Sequence, residues 1–409
     1  MVVARIVYDI IHFCSVGLVS LFPEQEKLTA SCCNYYDSSF DECRIELPPS
    51  SEKLLDLIKS KEHAFGPPHP DGIDAPPMSL KYHNEDTIVN KPARKINPDR
   101  LRIANEIFDE LTEAGFAEEV PADCPFDSPI VLVTYNDHRK PRLTGEYSGL
   151  DGVNTMSVHV EANLPRISDI IEFLGNAKFI AILDLLRAFW QLKICEEDFS
   201  KRILEIPHRA VCFTRAAFGL KNVPAVFQNT MTNIFKGIPN VFIYLDDIII
   251  AAQDEESSLS TLKLILERCI SRKVKLGNKK CCFVTSESEV KILARIFQKG
   301  TLRNDQERIN AILDIPIPSN IQDLRSFIGS INYIRNWHPN ISCLLKSLTE
   351  LLNKKGEGTP EVPSKITKTT IKTKWSYEYT KCFQSHTRIN RQLHVSRSTS
   401  TERSPNYLY

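Results

Sequence analysis

Val241-Phe242-Ile243-Tyr244-Leu245-Asp246-Asp247-Ile248-Ile249-Ile250-Ala251 is the most apolar stretch of the chain, and two adjacent aspartates sit in its middle. A run this rich in β-branched and aromatic residues predicts buried β-strand. Two like-charged carboxylates placed there are very costly unless something compensates them. The simplest compensation is a divalent cation, because carboxylate oxygens are hard ligands suited to Mg²⁺. Two apolar arms around a Tyr244-Leu245-Asp246-Asp247 tip also predict a hairpin that carries its carboxylates at the turn. The chemistry this points to is metal-assisted phosphoryl transfer.

The 409 residues (46.6 kDa) exceed what one compact core usually holds, so two or more domains are expected. Lys plus Arg (51) balances Asp plus Glu (51), which excludes a uniformly basic nucleic-acid coat but leaves room for a locally basic cleft. The 12 cysteines contain no Cys-x-x-Cys spacing and no Cys/His set with zinc spacing. Reduced thiols and an intracellular location follow, with cytoplasm and nucleus not distinguished. Ile10 to Phe22 is apolar but contains His12, is too short to span a bilayer and has no small-residue cleavage site. It is expected to be a buried helix, and no membrane partner is expected.

Residues 1–95 are expected to form an N-terminal extension and linker, partly disordered, with breakers at Gly66-Pro67-Pro68 and Pro70-Asp71-Gly72. Helical spacing of Ile103, Ile107 and Leu111 predicts a helix from Pro98, stopped at Gly115. Pro129 to Tyr135 is an expected strand, followed by a charged turn at Asp137-His138-Arg139-Lys140. Helices are expected over Ile167–Leu174, Asn222–Phe235 and Ser257–Ile270, with a basic run from Arg272 to Lys280. Ser319-Asn320-Ile321-Gln322 has the pattern of a capping box, opening a helix that Pro339 ends. Ile341 to Leu352 is a further short helix, and a basic tail without ordered pattern follows Lys354.

Phe179-Ile180-Ala181-Ile182-Leu183 is a second buried strand, and it ends in Asp184. A two-metal mechanism needs carboxylates from separate elements that converge at strand ends. Asp184 and the Asp246-Asp247 tip meet that need if their strands are neighbours, as a ferredoxin-like βαββαβ order permits. An isolated Asp-Asp pair is usually a solvated turn; the apolar flanks set this one apart.

Phe242-Ile243-Tyr244-Leu245-Asp246-Asp247-Ile248-Ile249 resembles the Tyr-x-Asp-Asp box of reverse transcriptases. Asp184-Leu185-Leu186-Arg187-Ala188-Phe189-Trp190-Gln191 is similar to their first catalytic box. Phe218-Gly219-Leu220-Lys221-Asn222-Val223-Pro224-Ala225-Val226-Phe227-Gln228 resembles a box of gypsy-type LTR retrotransposons, and Pro318 to Gly329 resembles the start of their thumb and connection. The boxes occur in the family's order between about residue 90 and residue 353. The resemblance implies an α+β, right-hand polymerase fold with fingers, a ferredoxin-like palm and a helical thumb. Fingers would cover about 96–165 and 195–222 and palm about 166–194 and 223–297. The thumb or connection start would cover 298–353, and 354–409 would be a tail toward an RNase H domain whose acidic cluster these residues do not supply.

The function implied is an RNA-directed DNA polymerase, a nucleotidyltransferase that extends a primer on an RNA or DNA template with dNTPs. Asp184, Asp246 and Asp247 would be catalytic and would hold two Mg²⁺ ions (Mn²⁺ as the substitute), with the Leu185 carbonyl also facing a metal. Phe189 would be the steric gate that selects deoxynucleotides; its plain alternative is a core aromatic beside Trp190. Backbone N–H groups of Arg187 and Ala188 would meet the triphosphate. Arg142 matches the fingers arginine on the triphosphate, against the alternative of a surface arginine in a charged turn. Phe218 would pack near the nucleotide. Tyr244 and the Leu293-Ala294 primer grip would face primer and template. Lys273 and Lys275 would contact phosphates, or else form a solvated charged face.

Departures from the family pattern lie in the fingers and the grip. Glu146-Tyr147-Ser148 stands for the usual Asp-Tyr-Arg, Tyr135-Asn136-Asp137-His138 for a lysine-rich turn, and Ala294 for the grip glycine. Losing the box arginine and the turn lysines removes positive charge near the nucleotide. These departures keep a second class of function open: a catalytically impaired retrotransposon remnant that binds nucleic acid or serves a structural role.

Overall fold

A computed structural model describes residues 44–46, 51–91, 93–121, 128–133, 141–149, 151–175, 177–293, 295–299, 301–316, 318, 321–333, 345–346, 348–349, 352 and 397–398. The expected helix at Ile10–Phe22, the turn at 137–140, Ala294, the Ser319-Asn320 cap, Pro339, most of 341–352 and nearly all of the tail lie outside them. The chain divides into two compact units, Val19–Ser288 on one side and Met1–Leu18 with Glu289–Tyr409 on the other.

In the larger unit the elements run in order as β1 (Arg44–Glu46), α1 (Ser51–Ser60), α2 (Pro98–Glu113), β2 (Ala117–Val120), β3 (Ser128–Val133), β4 (Arg142–Gly145) and α3 (Val153–Met156). They continue as α4 (Ile167–Leu174), β5 (Phe179–Leu185), β6 (Ile203–Ile206), β7 (Arg209–Phe213), α5 (Val223–Ile234), β8 (Val241–Tyr244), β9 (Asp247–Ala252), α6 (Glu255–Ser271) and β10 (Leu276–Thr285). The second unit holds β11 (Val290–Ile292), β12 (Arg295–Gln298), β13 (Thr301–Asn304), α7 (Gln306–Leu313), α8 (Ile321–Tyr333) and β14 (Arg397–Ser398). Its sheet has the order β11-β12-β13-β14.

The first sheet of the larger unit has the order β1-β10-β5-β9-β8. Without β1, the sequence β5-α5-β8-β9-α6-β10 gives the ferredoxin-like arrangement, with β5 between β9 and β10 and all three pairings antiparallel. Ile180, Leu183, Ile248, Ile249 and Ile250 are almost completely buried, which is why these short runs form strands covered on both faces. α6 packs on β9 and β5, and Phe173 of α4 meets Phe242 of β8 with ring centroids 5.4 Å apart. The second sheet has the order β2-β7-β6-β3-β4.

Helix ends follow local chemistry. Asn97 caps α2 by accepting from Asp99 N–H at 2.9 Å, and Pro98 occupies the first helical position. α6 begins earlier than the expected Ser257, because Asp254 is the capping residue and accepts from Ser257 N–H at 2.8 Å.

Residues 51–91, expected to be linker, are packed. α1 buries Leu54 and Ile58, and Ile73, Met78, Leu80, Tyr82 and Val89 are buried beyond it. After α1 and a short 3₁₀ turn the segment crosses the larger unit as a strap that bonds to other elements as well as within its own turns. Met78 N–H donates to Lys193 O at 2.8 Å, Cys195 N–H to Met78 O at 2.8 Å, and Val158 N–H to Lys81 O at 2.7 Å. Prolines rule out a helix here but not an extended chain, and Met78-Ser79-Leu80-Lys81-Tyr82 alternates apolar and polar as a half-buried strand does.

The strap is clamped by one ionic cluster. The buried Asp198 carboxylate accepts from Leu80 N–H at 2.7 Å and from Lys201 Nζ at 2.8 Å. Lys201 Nζ also donates to Leu80 O and to Glu85, and lies 4.5 Å from the centre of the Tyr82 ring. Removing the carboxylate leaves a half-buried ammonium and a buried N–H without it. Asp198→Ala is expected to destabilise the protein by about 3 kcal/mol, measured by urea unfolding, whereas Glu85→Ala, at the exposed end of the cluster, should cost less than about 1 kcal/mol.

Candidate active site

β5 ends in Asp184-Leu185. Its neighbour β9 begins at Asp247, and the register sets Asp184 directly opposite Asp247. β8 and β9 are joined by the two residues Leu245 and Asp246, with Tyr244 opposite Asp247. Leu245 N–H and Asp246 therefore sit on a tight turn whose first residue has φ +50°. Leu185 N–H donates to Asp246 O at 3.0 Å, which ties the turn back to the end of β5. The three aspartates thus share one end of one sheet. Asp246 is exposed and Asp184 and Asp247 are half-buried, so their charges border solvent while their strands do not.

Among the described residues no group of three His, Cys, Asp or Glu side chains is drawn tightly enough together to hold an ion. The backbone gathers Asp184, Asp246 and Asp247 without closing a cage. An all-oxygen, acidic donor set that leaves positions open fits Mg²⁺, which keeps several waters and takes further oxygens from substrate phosphates. The Tyr244 hydroxyl registers this environment. Burial, followed by the Asp246 and Asp247 charges, pushes its pKa above the usual phenol value.

A leucine at positive φ is strained. Here one side chain holds it. Gln228, buried on α5, accepts from Leu245 N–H at 2.7 Å through Oε1 and donates through Nε2 to Ile243 O at 3.0 Å. The box motif alone assigns Gln228 no role; an amide among the apolar residues of the helix is the available signal.

Three of the expected nucleotide-binding residues come together. Phe189 lies with its ring centroid 5.3 Å from Phe218 and 5.4 Å, edge-on, from Phe227. The Arg142 guanidinium of β4 lies 5.6 Å from the centre of the Phe218 ring. Thr144 Oγ1 donates to Phe218 O. Gly219 has φ +103°, and a Cβ there would come within 2.6 Å of Thr144 Oγ1 and 2.7 Å of Gly145 O, so only glycine fits. Arg187 turns the chain at φ +50° into a 3₁₀ turn, Ala188–Gln191, and stacks its guanidinium 5.6 Å from the Phe116 ring centre.

The expected phosphate contacts are engaged within the chain. Lys273 Nζ pairs with Asp71 at 2.5 Å, and Lys275 Nζ donates to His63 O. Leu293 has φ +47° at the turn between β11 and β12 in the other unit, and Ala294 lies outside the described residues. In the altered fingers box, Arg94 from beyond the strap pairs with Glu146, and Lys91 Nζ donates to Ser148 O at 2.7 Å.

Gln228→Leu removes both anchors of the tip and leaves Leu245 N–H and Ile243 C=O without them. A loss of about 1–3 kcal/mol is expected by chemical unfolding.

Residues 149–297 match the family model described as reverse transcriptase (RNA-dependent DNA polymerase). The chain is 28% identical over 276 residues to the retrovirus-related Pol polyprotein from transposon opus of Drosophila melanogaster, covering 64% of this chain and 27% of that protein. It is 29% identical over 289 residues to the corresponding polyprotein from Drosophila transposon 412, covering 68% of this chain and 22% of that one. The chain therefore spans about a quarter of the length of these curated relatives. Among solved structures, it is similar to a foamy viral protease-reverse transcriptase in complex with double-stranded DNA, with TM-score 0.70 and 20% identity over 88% of this chain and 59% of the other. The same foamy viral protein in complex with an RNA/DNA hybrid gives TM-score 0.68 and 20% identity over 86% of this chain and 45% of the other. These likenesses establish the α+β polymerase fold. Among the described residues no helix is long and apolar enough to cross a membrane. Aspartates at one sheet end, the ferredoxin-like strand order and the family match coincide on the same residues: 149–297 are a reverse transcriptase domain, in a chain that carries a reverse transcriptase region of the retrotransposon Pol type.

Proposed function

We propose that this chain is an RNA-directed DNA polymerase that extends a primer 3′-OH with dNTPs along an RNA or DNA template. The observation that carries this reading is the register of Asp184 against Asp247 with Asp246 at the adjoining tip, inside the matched domain. Asp184, Asp246, Asp247 and the Leu185 carbonyl would hold two divalent ions, which supply Lewis-acid stabilisation of charge at the transferred phosphorus.

The remaining residues bind and position. Arg142 offers a planar, permanently charged donor to the triphosphate and is kept in place over the Phe218 ring. The Phe189 ring, backed by Phe218 and Phe227, cannot easily retreat, so it would exclude a ribose 2′-OH by contact. Arg187 and Ala188 would present backbone N–H groups where the chain turns into the 3₁₀ helix. Leu293-Ala294 and Tyr244 are proposed on the primer side. Lys273 and Lys275 are tied to Asp71 and His63, so as phosphate contacts they would have to share those bonds. The serine at position 148, where the family pattern has arginine, favours the second reading, a nucleic-acid-binding remnant of low activity.

Mg²⁺-dependent extension of a labelled primer separates the two. Asp246→Asn is expected to lower the rate by about a hundredfold to a thousandfold, the equivalent of several kcal/mol of lost charge stabilisation, while leaving primer–template binding nearly unchanged. No extension by the unaltered chain, with primer–template still bound, would leave the remnant reading standing. Phe189→Ala should raise incorporation of ribonucleotides relative to deoxynucleotides by about tenfold or more, read from single-turnover kinetics with paired dNTP and rNTP.

A further inference from the structure

On the β10 side of Asp184 the sheet is irregular. β10 pairs Leu276 with Leu185 and Gly277 with Asp184, and then the register shifts, so that the next partner pair is Cys282 with Ile182. The short paired stretch at the Asp184 end is thus separated from the rest of the β5–β10 ladder by an irregularity.

A fully buried glutamine bonds to both chains at that end. Gln191 lies in the 3₁₀ turn that follows Asp184. Its Nε2 donates to Leu186 O at 2.8 Å and to Lys275 O at 2.7 Å, and its Oε1 accepts from Lys275 N–H at 2.8 Å. Leu186 N–H also donates to Lys275 O at 3.1 Å. One amide therefore joins the segment just after Asp184 to the segment just before Gly277, Asp184's partner.

The strap grips the same place from outside. Ile73 N–H donates to Gln191 O at 2.8 Å, Asp74 N–H to Arg272 O at 2.9 Å, and Gly66 N–H to Leu276 O at 3.1 Å. Lys273 pairs with Asp71, Lys275 with His63 O, and Arg215 with Pro70 O. Gly72 passes at φ +69° so close that a Cβ would stand 2.8 Å from Gln191 O and collide with the Arg215 guanidinium.

We propose that Gln191 is a positioning residue for Asp184, and that strap residues 63–78, which lie outside the matched domain, act through it to set where Asp184 stands relative to Asp246 and Asp247. The inference rests on the reading of Asp184 as a metal ligand. It assigns part of the metal-binding apparatus to a segment with no acidic ligand of its own.

The test is a Mn²⁺ titration followed by the electron paramagnetic resonance signal of free Mn²⁺, with the Mg²⁺ midpoint of primer extension measured in parallel. Gln191→Met keeps the length of the side chain and removes all three bonds. Leu204→Ala, in the core of the second sheet, serves as a destabilised control, and each variant is assayed at a temperature where circular dichroism shows it folded. Gln191→Met is expected to weaken Mn²⁺ binding and raise the Mg²⁺ midpoint by about tenfold, with Leu204→Ala within twofold of the parent in both. Gly72→Ala, which displaces the strap without touching the amide, is expected to shift both in the same direction, and it carries the test if Gln191→Met does not fold. Parental Mn²⁺ binding in Gln191→Met, an equal shift in Leu204→Ala, or no shift in Gly72→Ala as the only folded variant would overturn the proposal. No Mn²⁺ binding by the unaltered chain would overturn the polymerase reading and this inference with it.

Discussion

The cross-strand pairing of Asp184 with Asp247 is the constraint around which the larger unit is arranged. Two carboxylates facing each other on neighbouring strands repel, and strand pairing alone does not favour them. They are tolerated because they stand at the end of the sheet, where solvent reaches them, while the residues behind them do the holding. Leu183, Ile248, Ile249 and Ile250 are almost completely buried. Their burial, worth roughly 1.5–3 kcal/mol per side chain, fixes the register. Both faces are covered, so a one-residue slip would disrupt the packing of these side chains and draw a carboxylate toward the buried part of the ladder; the apolar strands thus enforce an electrostatic juxtaposition that would not form by itself.

The same logic explains the two buried glutamines. A turn that bears carboxylates cannot be filled with apolar side chains at its tip, and a residue such as Leu245 at positive φ needs its N–H satisfied. Gln228 does this from α5 for the Asp246-Asp247 tip, and Gln191 bonds the chain on both sides of the Asp184 end. Glutamine suits both places because one uncharged side chain presents a donor and an acceptor together. A charged substitute would add a further field beside three aspartates.

What could be read from the chain beforehand follows from how local each signal is. The β8–β9 hairpin, β5, and helices α2, α4 and α5 announce themselves through runs and periods within a dozen residues. The adjacency of β5 and β9 is not local; it was available only as a topology that the element order permits, and the strand order β10-β5-β9-β8 supplies it. The strap escaped because Gly66-Pro67-Pro68 and Pro70-Asp71-Gly72 have the composition of a linker, and its hydrogen-bond partners, such as Gln191, Lys193 and Met156, lie far away in sequence. The roles of Gln191 and Gln228 were equally out of reach. A buried amide is known by its partners, and those partners are main-chain groups of other elements. Lys273 and Lys275 looked like free cations until the strap placed Asp71 and His63 beside them.

The altered fingers box shows how such a scaffold accommodates drift. Ser148 removes a cation that the family pattern carries, yet Glu146 is not left as an isolated negative charge, since Arg94 pairs with it, and Lys91 reaches the carbonyl of Ser148. Lys91 ends the strap and Arg94 follows it, so neither cation comes from the box. The Arg94 guanidinium is largely exposed, so this pair contributes little to stability. Its effect is on the field, since it keeps an acidic group close to the β4 strand that carries Arg142 from standing uncompensated. The altered box, Arg142 and both cations all precede the matched residues 149–297, yet they stand beside the site that those residues carry. The domain boundary drawn by similarity is therefore narrower than the physical unit that shapes the site.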